Sequence, residues 1–163
     1  MQNKSVEDLY NDGLKEILYA ERKILQALPK MSAAATSDKL TAAFDKHRKE
    51  TEGHVSRLEK VFATSGQPVV AKTCAGIDAI IEEGELIIAD YKNSPALDLG
   101  LAAGAQAVEH YEIAKYKALK KLAASLGNSD AAELLDATLQ QEMQTEADLD
   151  ALADALDGSK VKR

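Results

Sequence analysis

The stretch SGQPVVAKTCAGIDAIIEEGELIIADYKNSP, residues 65–95, joins two pairs of longer helical patterns and decides how the chain folds. Residues that break helices cluster at both of its ends, as SGQP at 65–68 and NSP at 93–95. Between these clusters, isoleucines recur at helical spacing from Thr73 to Tyr91, which predicts a short helix. We interpret the isoleucine stripe as a seam that faces the core, with a self-association surface as the alternative.

Four long patterns of helical period flank this connection, over residues 5–34, 37–64, 95–126 and 129–156. Ser5, with Asp8 three residues later, predicts an N-cap for the first helix, and Ser129 predicts one for the last. Pro29 should kink or end the first helix. Two long hairpins joined by about thirty residues predict an all-α fold, a ferritin-like four-helix bundle with one long crossover that carries a fifth short helix.

Length and composition are typical of one helical domain. The chain has 163 residues with only 3 Pro and 9 Gly, and a chain of this length can bury one sizeable core. We expect residues 1–163 to form a single ferritin-like domain, with a basic, flexible tail at 158–163.

Charge and cysteine content exclude several classes of function. The net charge is −7 and there is no broad basic face, which argues against binding to nucleic acid. Cys74 is the only cysteine, so no intrachain disulfide can form. The N-terminus does not resemble a signal peptide, and no apolar run reaches the length of a membrane span. We therefore expect a cytoplasmic protein that does not enter membranes.

Ionisable residues interrupt the apolar stripe of each long helix near its middle. A single glutamate on such a stripe is more often an edge residue or an ion-pair partner, and a single histidine is more often a core residue. Here the interruption recurs on four helices, which solvated faces do not explain. The residues concerned are Glu21, His47, Glu50, His54, Glu109, Glu112, Glu142 and Glu146.

Counting from the hairpin turns places these side chains at matching heights. Glu21 and Glu50 are equidistant from the first turn, and Glu112 and Glu142 are equidistant from the second. Clustered carboxylates in a low-dielectric core need a compensating cation or must take up protons. We therefore predict a site for two metal ions in which Glu50 and Glu142 bridge. The predicted ligands are Glu21, Glu50, His54, Glu109, Glu112, Glu142 and Glu146, with His47 as an alternative imidazole ligand.

Longer motifs resemble a known bacterial group. YAE at 19–21, HRKETEGH at 47–54, QAVEHYEIA at 106–114 and TLQQE at 138–142 look like the YciF/YciE group of ferritin-like stress proteins. This resemblance implies a cytoplasmic homodimer related to rubrerythrin, with a di-iron centre and a link to stress.

The motifs depart from the usual pattern of di-iron bundles, in which Glu-x-x-His occurs on two helices. The residue three after Glu50 is Gly53, and the residue three after Glu142 is Thr145. Pairs spaced i, i+4, such as Glu50 with His54, are the substitute that the sequence offers.

Three functions remain open from the sequence. The first is an oxidoreductase that reduces peroxide or oxygen at two metal ions, with iron favoured and manganese as the other candidate. The second is a non-catalytic iron-binding or sequestering protein, and the third is a dimeric structural stress protein without turnover. The electron donor stays unknown, since the chain has no rubredoxin-type cysteines and no nucleotide-binding fingerprint. Tyr19, Tyr111 and Tyr116 are interpreted as packing residues with a polar tip.

Overall fold

Five helices make up the computed structural model, which describes residues 3–156. They are α1 (Val6–Ala34), α2 (Asp38–Thr64), α3 (Ala75–Asp90), α4 (Leu97–Ser125) and α5 (Ser129–Ala155). The order of two long, one short and two long helices confirms the predicted all-α bundle with one crossover. The basic tail expected at 158–163 lies outside the described residues.

Helix ends follow the capping signals of the sequence at most positions. The Ser5 hydroxyl accepts from the Asp8 backbone N–H at 3.1 Å, and the Asp8 carboxylate accepts from the Ser5 N–H at 2.8 Å, so the predicted cap is confirmed. Helix α1 continues past Pro29 to Ala34, so the proline does not end it. The cap of α5 is Asn128, not Ser129, because the Asn128 side chain accepts from the backbone N–H of the third residue beyond it, at 3.0 Å.

The two hairpins, α1–α2 and α4–α5, pack against each other through α1 with α4 and α2 with α5. Helix α3 lies outside this four-helix core, against α4 and α1. It approaches α4 closely at Gly100, where an added Cβ would lie 2.7 Å from Ile87 Cγ2. Ile77 is the one fully buried isoleucine of the stripe. The other isoleucines of α3 are partly buried and pack against the core, because α3 covers one side of the bundle.

One connected apolar core runs along the bundle. On α1, Leu14 and Leu28 are buried on either side of Glu21, so the polar residues lie at mid-height between apolar layers. None of the described helices combines the length and the apolar character that crossing a membrane requires.

Candidate metal centre

A layer of ionisable side chains crosses the middle of the bundle. Each of these side chains is at most 3% exposed, although ionised groups are seldom buried without a partner. Helix α1 contributes one glutamate, α2 two histidines, α4 two glutamates and α5 one glutamate. They are Glu21, His47, His54, Glu109, Glu112 and Glu142.

These residues form two groups with one member in common. One group consists of His47, Glu109, Glu112 and Glu142, and the other of Glu21, His54 and Glu142. Within each group, one potential ligand atom per residue lies within 4.8 Å of the others. Glu142 reaches both groups with different oxygens, because its Oε1 is 2.9 Å from His54 Nδ1 and its Oε2 is 3.6 Å from His47 Nε2. This is the placement that a bridging carboxylate requires.

Two of the predicted ligands lie outside both groups. The Glu50 side chain is 22% exposed, lies 3.4 Å from Lys46 Nζ and accepts a hydrogen bond from the Thr145 hydroxyl at 3.3 Å. The Glu146 side chain is 24% exposed and lies 3.5 Å from His110 Nε2. The structure brings together the other predicted ligands and adds His47 to them.

Helical rotation explains the position of Glu50. Counting from the turn gives the height of a residue along the bundle, and successive residues point about 100° apart around the helix. Thr51 takes the inward position at this height and is fully buried, so Glu50 is turned toward the rim of the bundle.

The Glu-x-x-His pattern of di-metal bundles is recognisable once Thr51 is used as its start. On α2 the pattern reads Thr51-x-x-His54, and on α5 it reads Glu142-x-x-Thr145, so one glutamate and one histidine are replaced by threonine. The spacing of three residues before His54 was the signal in the sequence that could have located Thr51.

Two further ionisable side chains, each one helical turn from another residue of the layer, bring the numbers of glutamates and histidines to those of this pattern. Glu109 precedes Glu112 by one turn on α4, and His47 precedes Thr51 by one turn on α2. His47 Nδ1 lies 3.1 Å from Glu109 Oε1, so these two side chains meet each other. The site therefore keeps four carboxylates and two imidazoles, which is the donor count of the usual di-metal site.

The buried carboxylates have almost no hydrogen-bond donors among the described residues. Apart from the contacts of the two imidazoles with carboxylates at 2.9 to 3.6 Å, seven of the eight carboxylate oxygens of the four glutamates are buried without a hydrogen-bond partner, as are His47 Nε2 and His54 Nδ1. The exception is Glu21 Oε1. Since buried polar atoms are normally satisfied, a set of this size that converges on two points fits cations.

The Tyr116 hydroxyl supplies the one donor that Glu21 receives. Burial and the charge of Glu21 raise the pKa of Tyr116 well above its usual value, so the phenol stays protonated and donates. Tyr116 therefore positions a site residue, beyond the packing role expected from the sequence. Tyr19 instead donates to Asp78 outside the layer.

Protonation is strongly perturbed in the layer. Burial raises the pKa of Glu109 and of Glu112 well above the usual value, and neighbouring carboxylates add to this. Burial opposes ionisation of Glu142 as well, but contacts with His47 and His54 outweigh it and lower the pKa of Glu142 to about 2. Burial likewise opposes the charge of His54, and its carboxylate partners outweigh it and raise the pKa of His54 to about 10. Protons thus neutralise the layer where cations would otherwise do so.

A hydrogen-bond chain fixes which nitrogen of His54 faces the cluster. Arg57 Nη1 donates to Gln141 Oε1 at 3.0 Å, and the same oxygen lies 3.2 Å from His54 Nε2. Because arginine only donates, the atom between them is the amide oxygen, and His54 Nε2 must carry a hydrogen. Nδ1 is then the nitrogen directed at Glu21 and Glu142.

An apolar cleft between α1, α3 and α4 reaches the layer from outside. Ile24, Ile80 and Val108 are among its lining residues, and it extends to His47 and Glu109. Uncharged molecules can enter such a cleft at little desolvation cost.

The fold and this layer together define a class, the ferritin-like bundles with a buried carboxylate and histidine cluster. Within it, the chain belongs to the DUF892 family, a domain of unknown function whose profile matches residues 5–162. The resemblance to the YciF/YciE group is thereby confirmed. The chain is 36% identical over 154 residues to Protein YciF of Escherichia coli K12, covering 94% of this chain and 93% of that protein.

Two solved structures are similar over nearly the whole chain. The crystal structure of the E. coli stress protein YciF matches with a TM-score of 0.91 at 35% identity, covering 98% of this chain and all of the other. YcfI of Rhodopseudomonas palustris, which is proposed to be a structural protein, matches with a TM-score of 0.88 at 37% identity, covering 90% and 94% of the two chains.

Proposed function

We propose that this protein binds two divalent metal ions in the buried layer and acts as a di-metal carboxylate protein of the stress response. The observation that carries the proposal is the set of seven buried carboxylate oxygens for which the described residues offer no donor other than the two imidazoles around which they are arranged. The relationship to a stress protein of E. coli supports the physiological part of the proposal.

Charge balance favours two divalent ions. Four ionised glutamates carry four negative charges, and two neutral imidazoles add none, so two divalent cations neutralise the layer. Oxygen-rich ligation with a few imidazoles suits iron or manganese better than copper or zinc, and we favour iron.

The proposed ligand set follows the two groups. His47, Glu109 and Glu112 would hold one ion, Glu21 and His54 would hold the other, and Glu142 belongs to both groups. Compared with the set predicted from the sequence, this set includes His47 and omits Glu50 and Glu146.

The proposed reaction is the reduction of peroxide or oxygen. Two bound iron ions would supply the electrons for this reduction. The protein contributes a layer screened from water, the Tyr116 hydroxyl that holds Glu21, and the apolar cleft that ends at His47. Homodimeric assembly and a cytoplasmic location belong to the same proposal and rest on the resemblance to the YciF/YciE group.

A structural protein without turnover is the second candidate function. It is favoured by the relative YcfI, which is proposed to be structural, and by the ability of protons to neutralise the layer without metal. An iron-sequestering protein that binds without turnover lies between the two candidates.

Metal analysis of the purified protein, followed by Fe(II) titration in air and with peroxide, separates these functions. We expect two ions per chain and oxidation of two Fe(II) ions for each peroxide reduced to water, with repeated peroxide consumption only while an added reductant such as ascorbate returns the iron to Fe(II). Stoichiometric binding without turnover would support sequestration, and absence of binding would leave the structural role. Glu52→Gln, an exposed glutamate paired with Arg48 on α2, serves as the control and should match the natural chain.

A further inference from the structure

A small pocket opens between α2 and α5 on the rim of the buried layer. Its polar lining consists of Lys46, His47, Glu50, Thr145 and Asp148. It is distinct from the apolar cleft, which lies between α1, α3 and α4.

Two carboxylates at the mouth of this pocket already hold a positive charge between them. Lys46 Nζ lies 3.4 Å from Glu50 Oε1 and 3.3 Å from Asp148 Oδ2. The other oxygen of Glu50 accepts from the Thr145 hydroxyl at 3.3 Å, which keeps the carboxylate at the rim.

The inner wall of the same pocket is a residue of the buried layer. His47 lines the pocket although its side chain is only 3% exposed, and its Nε2 has no hydrogen-bond partner within residues 3–156. This nitrogen lies 3.6 Å from Glu142 Oε2, the carboxylate common to both groups. The pocket therefore joins a surface pair of carboxylates to the layer through one unsatisfied imidazole nitrogen.

We propose that this pocket is the route by which divalent cations enter the layer, with Glu50 as the first ligand they meet and His47 as the next. The proposal rests on the proposed function, since it concerns access to the same site. A hydrated cation loses water ligands on entry and needs oxygen or nitrogen atoms to replace them, which this pocket offers from its mouth inward, whereas apolar side chains form most of the lining of the cleft.

The route gives a role to Glu50, which lies beside the buried layer but is not part of it. At 22% exposure, Glu50 is open enough to capture an ion from solvent, and it is joined by Thr145 to the helix that carries Glu142. Lys46 occupies the position of the incoming ion and must move aside, so it opposes uptake.

A residue on an entry route has a kinetic signature that a ligand of the final site lacks. It changes the rates of binding and release together and leaves the dissociation constant unchanged. A ligand of the final site changes the dissociation constant itself.

Stopped-flow uptake of Co²⁺ by the metal-free protein, followed by the visible bands of the bound ion, tests the route. We expect Glu50→Gln to slow uptake and release about tenfold, the low end of electrostatic steering effects, with unchanged stoichiometry and dissociation constant. Lys46→Gln should accelerate both rates. High salt should shrink both effects because it screens exposed charges.

Arg48 and Glu52 provide matched controls on the same helix. Arg48 and Glu52 form an exposed i, i+4 ion pair at 3.7 Å, and Lys46 and Glu50 form an ion pair of the same spacing at 3.4 Å. Only the second pair lines the pocket. Arg48→Gln and Glu52→Gln should leave both rates unchanged, and circular dichroism should show that all four variants are folded.

Three results would overturn the route. Unchanged rates of Co²⁺ uptake and release in Glu50→Gln would place the entry route elsewhere. A higher dissociation constant in that variant would make Glu50 a ligand of the final site. If the natural chain takes up no Co²⁺, the proposed function fails as well, so the two failures are distinguishable.

Discussion

The two hairpins contribute different chemistry to the same layer. The α1–α2 hairpin supplies one glutamate and both histidines, whereas the α4–α5 hairpin supplies three glutamates and no histidine. In order, the residues are Glu21, His47, His54, then Glu109, Glu112 and Glu142. Glu142 on α5 contacts both histidines of α2, so the layer is a property of the contact between the two hairpins.

The acid-rich hairpin also orients the residues of the other one. Tyr116 on α4 donates to Glu21, and Gln141 on α5 accepts from His54. Arg57 on α2 holds that glutamine in turn. The comparison teaches that the α4–α5 hairpin contributes three of the four glutamates together with Tyr116 and Gln141, while the α1–α2 hairpin contributes both imidazoles.

Removal of the carboxylate that joins the hairpins should have the largest effect. In Glu142→Ala both groups lose a member, so we expect metal content to fall from two ions per chain to less than one while the helices remain formed. Metal analysis and circular dichroism measure the two properties. The exposed Glu133→Ala on the same helix is the control, and undiminished metal content in Glu142→Ala would count against the shared role.

Removal of either histidine should cause a smaller loss of metal than removal of Glu142. His47 belongs to one group and His54 to the other, so His47→Ala and His54→Ala should each retain about one ion per chain. Titration with Mn²⁺, followed by paramagnetic resonance, counts the ions retained. Loss of both ions from either variant would show that the groups do not bind independently.

Metal should stabilise the contact between the hairpins. An ion that binds only the folded chain adds about 2.7 kcal/mol to the free energy of unfolding when its free concentration is a hundred times the dissociation constant. Calorimetry should therefore give a higher melting temperature for the loaded protein than for protein treated with chelator. Coincident melting at neutral pH, with metal present in one sample, would favour the structural role.

The difference in stability between the metal-loaded and the metal-free protein should grow as pH rises. The pKa values of Glu109, Glu112 and His54 are raised in the folded state. The pKa values in the unfolded chain are 4.5 for the glutamates and 6.5 for His54, and below these values the three groups stabilise the metal-free protein in full. The stabilisation by His54 is lost as pH rises through about 10. The lowered pKa of Glu142 acts oppositely, and its contribution is lost only as pH falls from 4.5 toward about 2.

We therefore expect the metal-free protein to lose stability between pH 6 and pH 10, and the loaded protein to lose less, since ions replace the protons. Chemical denaturation at several pH values measures both curves. A metal-free protein that becomes more stable over this range would contradict the assigned shifts.

The smallest effect should come from the orienting residues. Gln141→Leu removes the acceptor that directs His54, and loss of such an outer partner weakens metal binding about tenfold, or 1.4 kcal/mol. Competition with a chelator of known affinity measures it. Gln140→Leu, the exposed neighbour, should have no effect, and equal losses in both variants would rule out a specific role for Gln141.

Much of this arrangement could be predicted from the sequence. The predicted bounds of all five helices agree with the structure to within two residues, because caps and breakers mark them locally. Glu21, His54, Glu109, Glu112 and Glu142 are buried, as their positions on the apolar stripes predicted. The metal ligands themselves stay a prediction.

The rest could not be predicted because it depends on rotation around each helix. Glu50 and Thr51 are adjacent at nearly the same height, and a rotation of about 100° decides which one enters the core. The same uncertainty left His47 as an alternative to His54, while in the structure each belongs to a different group.

The sequence by itself determined the helices, their order and the mid-height band of acids and histidines, because caps, breakers and the 3.6-residue period act within a few residues along the chain. Only the tertiary structure decided that Glu142 joins two groups, that Tyr116 and Gln141 orient residues of the opposite hairpin, and that Glu50 stands at a pocket mouth. The hydrogen bonds behind these relations join residues 87 to 95 positions apart, whose contact depends on how helices rotate and pack against one another.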